Sequence, residues 1–330
     1  VYYDRLEDLD GQVGAVLDEL EADGLADSTI VFYYSDHGGA VAGKKRFLTE
    51  GGLHVPMSIR VPEQFRHLVE YGPTGAVERP VSFVDLPATL MRLAGVERPA
   101  HMVGTSLLHD SDKRYVFAYG GRMDERRNLV RSVSDGQYRL TRNYLPHRPY
   151  GRRLEFLWRA PLMQSWAREY EAGNLNAAQS AFFEPRPAVE LYDVLEDPHQ
   201  VVNLAGQAEF AGKLRELSDA LTSWQVAQRD AGLVPEPMLL ELDQQGVIRD
   251  YVVSVNYPVD EIVQLAQLAG EREAANLDHF LEQLQSGHPV RSYWAANGLL
   301  LLGEDARPAV PVIENALEQV EAWTGIVLAE

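Results

Sequence analysis

The chain has 330 residues, 45% of them hydrophobic, and 30 Lys and Arg against 49 Asp and Glu leave a net charge of −19. That length allows two or three domains with a large core, and the acidity runs against a nucleic-acid binder, whose footprint is basic. With no Cys, disulfides, thiolate metal ligands and a cysteine nucleophile are excluded from this chain, and no apolar run nears the ~18 residues of a membrane helix.

In chain order, residues 3–20 read as an amphipathic helix, with Leu6, Leu9, Val13, Val16, Leu17 and Leu20 at three- and four-residue spacing. Val1-Tyr2-Tyr3-Asp4 shows neither an initiator Met nor a signal peptide, and a chain that opens inside a core helix reads as a fragment or a trimmed chain. Gly24 suits the helix end because it tolerates positive φ. Residues 29–34 are an apolar run of β-branched and aromatic side chains, the pattern of a strand buried on both faces. A second short strand, 57–61, stops at Pro62. Residues 83–93 follow as a helix with Val84, Leu86, Leu90 and Leu93 expected on its inner side, and Asp85 at its start reads as a cap. Helix, strand, strand, helix predicts the edge of an α/β sandwich over 1–111.

A different texture begins near Asp112. Residues 115–119, 129–133 and 138–143 are short alternating segments, and Asp135-Gly136 between the last two is a hairpin turn signal. With a strand at 191–193 and a long helix at 210–231, this part predicts a small antiparallel sheet covered by a helix, over 112–234. Pro235 and Pro237 read as a linker. The remainder, 235–330, predicts an all-α tail with helices at 261–269, 274–285, 290–302 and 309–320. Its stretch 288–317 resembles a HEAT-type unit through Pro289, Arg291, Ala295, Leu299, Gly303 and Ala309, without an internal period.

The richest stretch chemically is Tyr33-Tyr34-Ser35-Asp36-His37-Gly38-Gly39, with Lys45 and then Glu50-Gly51-Gly52-Leu53-His54-Val55-Pro56. A carboxylate and an imidazole at a strand end stand where open α/β sheets place their sites. The carboxylate suits Ca²⁺, Mg²⁺ or Mn²⁺, and the imidazole Mn²⁺ or Zn²⁺. The plain alternatives are a strand-end turn for Asp36-His37 and a solvated loop for Lys44-Lys45-Arg46.

Taken together, these segments resemble the sulfatases of the alkaline phosphatase superfamily. In that family a Ser-Asp-(His or Asn)-Gly strand end is followed by a lysine and a Glu-Gly-Gly-x-x-Val-Pro segment. Further matches are Val81-Ser82-Phe83-Val84-Asp85-Leu86, Gly120-Gly121-Arg122-Met123-Asp124-Glu125-Arg126, Arg142-Asn143-Tyr144-Leu145-Pro146 and the run from Leu191 to Pro198 with Asn203-Leu204. The resemblance covers residues 1–230. It implies an alkaline-phosphatase-like α/β sandwich, sulfate-ester hydrolysis, Asp36 and His37 as metal ligands, and Lys45 as the catalytic lysine that holds the sulfate. It also implies a divalent ion, Ca²⁺ ahead of Mn²⁺ or Zn²⁺, and a formylglycine nucleophile from a Cys/Ser-x-Pro-x-Arg motif. Neither that motif nor the family's paired N-terminal aspartates occurs here, so this chain alone is expected to be inactive, with the formylglycine in a missing N-terminal part. Exported relatives imply a periplasmic or secreted location.

From Asp112 to Ala167 there are 12 Lys and Arg against 5 Asp and Glu, a local excess of +7. Screening acts over ~8 Å at physiological salt, so this patch can hold an anion within an acidic chain. Arg122, Arg142, His147 and Arg148 are candidate substrate contacts, as is His54, where many relatives carry Arg; snorkelling or charge balance is the plain alternative. The aromatics Phe156, Trp158 and Trp166 suit a sugar pocket or, more simply, packing. The expected partners are a sulfated small molecule or glycan and, for the helical tail, a protein. Alternative readings are a phosphoryl or phosphonate ester hydrolase of the same superfamily, or a non-catalytic scaffold with a partner-binding tail.

Overall fold

A computed structural model describes residues 2–39, 43–71, 75–109, 112–123 and 125–330. The fold is mixed α/β with two small antiparallel sheets and a helical C-terminal portion. Among the described residues no helix is long and apolar enough to cross a membrane. The chain forms two compact units: Val1–Gly38 with His54–Val116, and Gly39–Leu53 with Phe117–Glu330.

In the first unit a 21-residue helix, Tyr2–Ala22, ends at Gly24, whose φ of +68° is the left-handed close expected there. The strand β1 (Val31–Tyr34) pairs antiparallel with β2 (Met57–Arg60), Phe32 opposite Ile59 and Tyr34 opposite Met57. The expectation that β1 is buried on both faces is corrected: Tyr33 and Tyr34 are 43% and 47% exposed, because among the described residues β2 is its one sheet neighbour. Tyr34 instead packs a tilted ring on Phe83 at 5.4 Å.

The helix Asp85–Leu93 also turns a different face inward from the one expected. Its buried residues are Asp85, Ala88 and Thr89, while Val84 and Leu90 are exposed. The cause is a polar knot. Asp85 accepts from the Ser82 and Thr105 backbone N–H groups, both at 2.9 Å, and from Lys113 Nζ at 2.6 Å. Thr89 Oγ1 donates to the Asp85 carbonyl at 2.7 Å and accepts from Leu107 N–H at 2.9 Å. Asp85 is thus not the cap its position suggests: Val84 holds the cap position, without a side-chain bond, and the Asp85 carboxylate instead ties Ser82, Thr105 and Lys113 to the start of the helix.

The second unit is built on a four-stranded sheet in the order β3 (Val116–Met123), β4 (Arg126–Ser134), β5 (Tyr138–Asn143), β6 (Val189–Asp193). The Asp135-Gly136 hairpin forms as expected: Asp135 Oδ1 accepts from Gln137 and Tyr138 N–H, fixing the register in which Val133 faces Leu140. The helix Ala211–Ala227 buries Leu217 and Leu221. Pro235 and Pro237 open a helix, Glu236–Gln244, rather than a linker; a first-turn proline lacks an N–H that the helix would not use.

Helices Val259–Glu271, Leu277–Leu284, Pro289–Leu302 and Val310–Ala316 complete the unit, with a further one at Ala322–Ala329. The first four have lengths of 13, 8, 14 and 7 residues. A boundary near residue 234 does not separate two cores. Leu129, Tyr144 and Leu145 share one apolar cluster with Tyr257, Phe280 and Trp294, and the Trp294 indole N–H donates to the Leu233 carbonyl at 2.8 Å.

Candidate functional site

Asp36 and His37 stand in the first unit, immediately beyond β1. The Ser35 hydroxyl donates to the His37 carbonyl at 2.7 Å, and Ser35 N–H donates to the Pro56 carbonyl at 3.4 Å. His37 Nδ1 lies 2.6 Å from the Gly38 carbonyl. A carbonyl only accepts, so Nδ1 carries a proton. Nε2 lies 3.4 Å from Asp36 Oδ2, with the carboxylate side chain 82% and the imidazole 32% exposed. A ligating histidine usually ties its other ring nitrogen to a carbonyl in this way.

The pair fits a divalent ion as two ligands of a larger shell. Among the described residues no group of three His, Cys, Asp or Glu side chains gathers, and two donors do not complete the six to eight oxygens of Ca²⁺.

Lys45 belongs to the second unit, on a tight turn. Lys45 N–H donates to the Gly39 carbonyl at 3.2 Å and Phe47 N–H to that of Lys44 at 3.0 Å. Arg46 adopts φ +78°, a strained state for a non-glycine residue of the kind that collects at functional turns. Lys45 Nζ and the Arg46 guanidinium lie 5.1 and 4.2 Å from the Phe156 ring centroid, so the exposed Phe156 faces cations. Trp166 instead stacks on Phe182 at 4.7 Å, and Trp158 packs on the small core around Phe47 and Met163.

The Glu50-Gly51-Gly52 run secures that turn. A Cβ on Gly52 would come within 2.4 Å of the carbonyl oxygens of Lys44 and Phe47, so only glycine lets the short helix Glu50–Leu53 lie against the Lys45 turn. Glu50 pairs with Arg139 of β5 through Nη2 and, at 3.0 Å, Nε, and its N–H donates to Gln200 Oε1 at 2.7 Å. Glu50 thus anchors the short helix beside the Lys45 turn to β5. It stands within the quoted motif, yet its partner lies 89 positions away, with no local signal.

The remaining candidates fall in different surroundings. His54 is exposed and belongs to the first unit. Arg122 grips Glu236 with both branches, Nε to Oε1 at 2.6 Å. Arg142 stands opposite Arg131 across the β4–β5 ladder, and its Nε is buried without a hydrogen-bond partner. Arg148 Nε donates to His147 Nε2 at 3.0 Å, which makes Nδ1 the protonated nitrogen of a neutral ring. Burial first, then Arg148, Arg272, Arg186 and Arg152, push the His147 pKa down to about 4.

Compared with known proteins, residues 1–96 match the family model described as Sulfatase. The chain is 34% identical over 263 residues to an ulvan-active sulfatase of Formosa agariphila, covering 77% of this chain and 43% of that protein. It is 27% identical over 255 residues to human N-sulphoglucosamine sulphohydrolase, covering 72% and 50%. A solved 2-O GAG sulfatase overlaps 67% of this chain and 41% of its own, at 23% identity and a TM-score of 0.48. The chain thus spans half or less of the length of these relatives. Over residues 1–96 and across the segments that carry its motifs, the chain is similar to the sulfatase family.

Proposed function

We propose that the protein containing this chain hydrolyses sulfate esters, with a sulfated sugar or glycan as substrate. The relatives are named for ulvan and for N-sulphoglucosamine, and the second of these is a sulfated sugar. The observation that carries the reading is the Asp36–His37 pair, with its Nδ1 proton committed to the Gly38 carbonyl and its Nε2 beside the carboxylate.

In this reading Asp36 and His37 supply two ligands to a divalent ion, Ca²⁺ by the oxygen-rich chemistry of the family, alongside ligands and a formylglycine from outside this chain. When bound, such an ion neutralises charge on the sulfate oxygens. Lys45 supplies an ammonium for sulfate oxygens, and charge placed where it develops in the transition state lowers the barrier. Glu50 and Gly52 hold the Lys45 turn. Of the basic residues expected at the substrate, His147 and Arg148 have the surroundings that favour the role. Arg122 is already matched by Glu236, Arg142 lies beside Arg131, and His54 is a further contact for an anion.

The test is turnover by the complete protein with a sulfated disaccharide and, in parallel, a phosphonate monoester. Sulfate release that stops on chelation with EDTA and returns with Ca²⁺ is the expected result. Hydrolysis of the phosphonate alone, or a rate indifferent to chelation, would overturn it.

A further inference from the structure

Beyond Asp36, His37 and Lys45, a second concentration of charge lies just past the end of β5. Arg148, Arg152, Arg186 and Arg272 all act on His147. Arg152 is itself pushed down to about 10, by burial first and then by Arg186, Arg148, Arg126 and Arg122. Cations this close repel one another, and an anion among them relieves the repulsion.

Among the described residues this repulsion is relieved only in part. Arg186 is almost fully buried and binds neutral acceptors: the Arg148 carbonyl at 2.8 Å, Asn128 Oδ1 at 2.7 Å and the Leu145 carbonyl at 3.0 Å. Its guanidinium lies 4.7 Å from the Tyr150 ring centroid. Arg152 donates to the Arg127 carbonyl. Two carboxylates stand nearby. Glu190, held by Tyr150, Asn143 and Tyr192, sets its charge against Arg186, and Glu330 reaches Arg148 at 3.8 Å; Arg152 has neither. His147 accepts from Arg148 Nε, while the Arg148 side chain stays 37% exposed and its Nη2 is the atom that Glu330 approaches. Its own Nδ1 is buried and meets no acceptor.

We propose that this cluster is an oxyanion site: Arg148 and Arg152 take a sulfate or carboxylate carried by a glycan, Arg186 lends a fixed charge behind them, and His147 positions Arg148. A guanidinium suits this task because its planar fork matches two oxygens of such a group. The attribution to a glycan rests on the reading of the preceding subsection, whereas the existence of the site does not. The site would select substrates that carry an anionic group of this kind.

Calorimetric titration of the full chain tests this with a monosulfated disaccharide, its desulfated counterpart and sodium sulfate. The sulfated sugar should bind saturably and at least ten-fold more tightly than either of the others. Arg148→Gln and Arg152→Gln should each weaken it ten-fold or more, with melting temperatures checked to show that the variants fold. Arg307→Gln, at an exposed pair with Glu304, should leave it unchanged. His147→Gln, which keeps an acceptor for Arg148, should weaken binding less than His147→Ala. Equal binding of the sulfated and desulfated sugars, or full binding by both arginine variants, would overturn the site. Sodium sulfate binding as tightly as the sulfated sugar would overturn the glycan assignment and point to free sulfate. No turnover is read, so a failure of the hydrolase reading would show separately.

Discussion

The second unit buries Trp294, Tyr257, Phe280 and Tyr144 almost completely, whereas the first buries a carboxylate and a hydroxyl, Asp85 and Thr89, and leaves Leu6, Val16, Leu17 and Leu90 at its surface. The residues expected to do chemistry are shared between these two kinds of construction, Asp36 and His37 in one and Lys45 in the other. An apolar core spreads its stabilisation over many contacts, each worth little. A polar knot concentrates it, so that one side chain removed strands several partners at once.

The comparison can be broken most forcefully in the second unit. Trp294→Ala removes a fully buried indole, its bond to Leu233 and its edge contact with Tyr144 at 5.7 Å; a loss of about 3–5 kcal/mol is expected by urea denaturation. Asp85→Ala should cost about 3 kcal/mol, because it leaves Lys113 and two backbone N–H groups without their acceptor. Proteolysis should then increase within 82–113 and leave the second unit intact; equal nicking of both units would contradict the separation. Gly52→Ala should cost roughly 1–3 kcal/mol as the Lys45 turn gives way to the new methyl group.

His147 sharpens the comparison through pH. Its native pKa lies below the unfolded value, so the unfolded chain binds the extra proton between about pH 6.5 and 4. The contribution of a neutral His147 is therefore fully present above that window and is lost as pH falls through it. Discounted for partial exposure, the loss is on the order of 1–2 kcal/mol. Melting temperatures of wild type and His147→Gln across pH 4–7 should converge at the acid end. The smallest effect is expected for Arg159→Ala, whose exposed pair with Glu155 at 3.2 Å is worth under ~0.5 kcal/mol.

What could be read in advance follows the range of the forces involved. The hairpin at Asp135-Gly136 and the helix end at Gly24 depend on a few neighbouring residues, and both stand where local chemistry puts them. The Asp36–His37 pair was legible for the same reason, since its partners Ser35 and Gly38 are adjacent in sequence. The inward face of the helix Asp85–Leu93 was not. Its hydrophobic spacing pointed to Val84 and Leu90, but Thr105 and Lys113, 20 and 28 residues beyond Asp85, decide which face is covered. The apolar run in β1 suggested a strand with neighbours on both sides, yet pairing is a property of the sheet and not of the run. Glu50 stood inside a quoted motif, and its role emerged only with Arg139 beside it.

The central claim is the proposal that Asp36 and His37 are metal ligands and Lys45 a sulfate-binding lysine of the complete protein, and turnover tests it most directly. In the complete protein, Lys45→Ala should lower the rate of sulfate release by orders of magnitude, and Asp36→Ala should abolish retention of the divalent ion, each with the fold intact by circular dichroism. Wild-type rates in both variants would contradict the account.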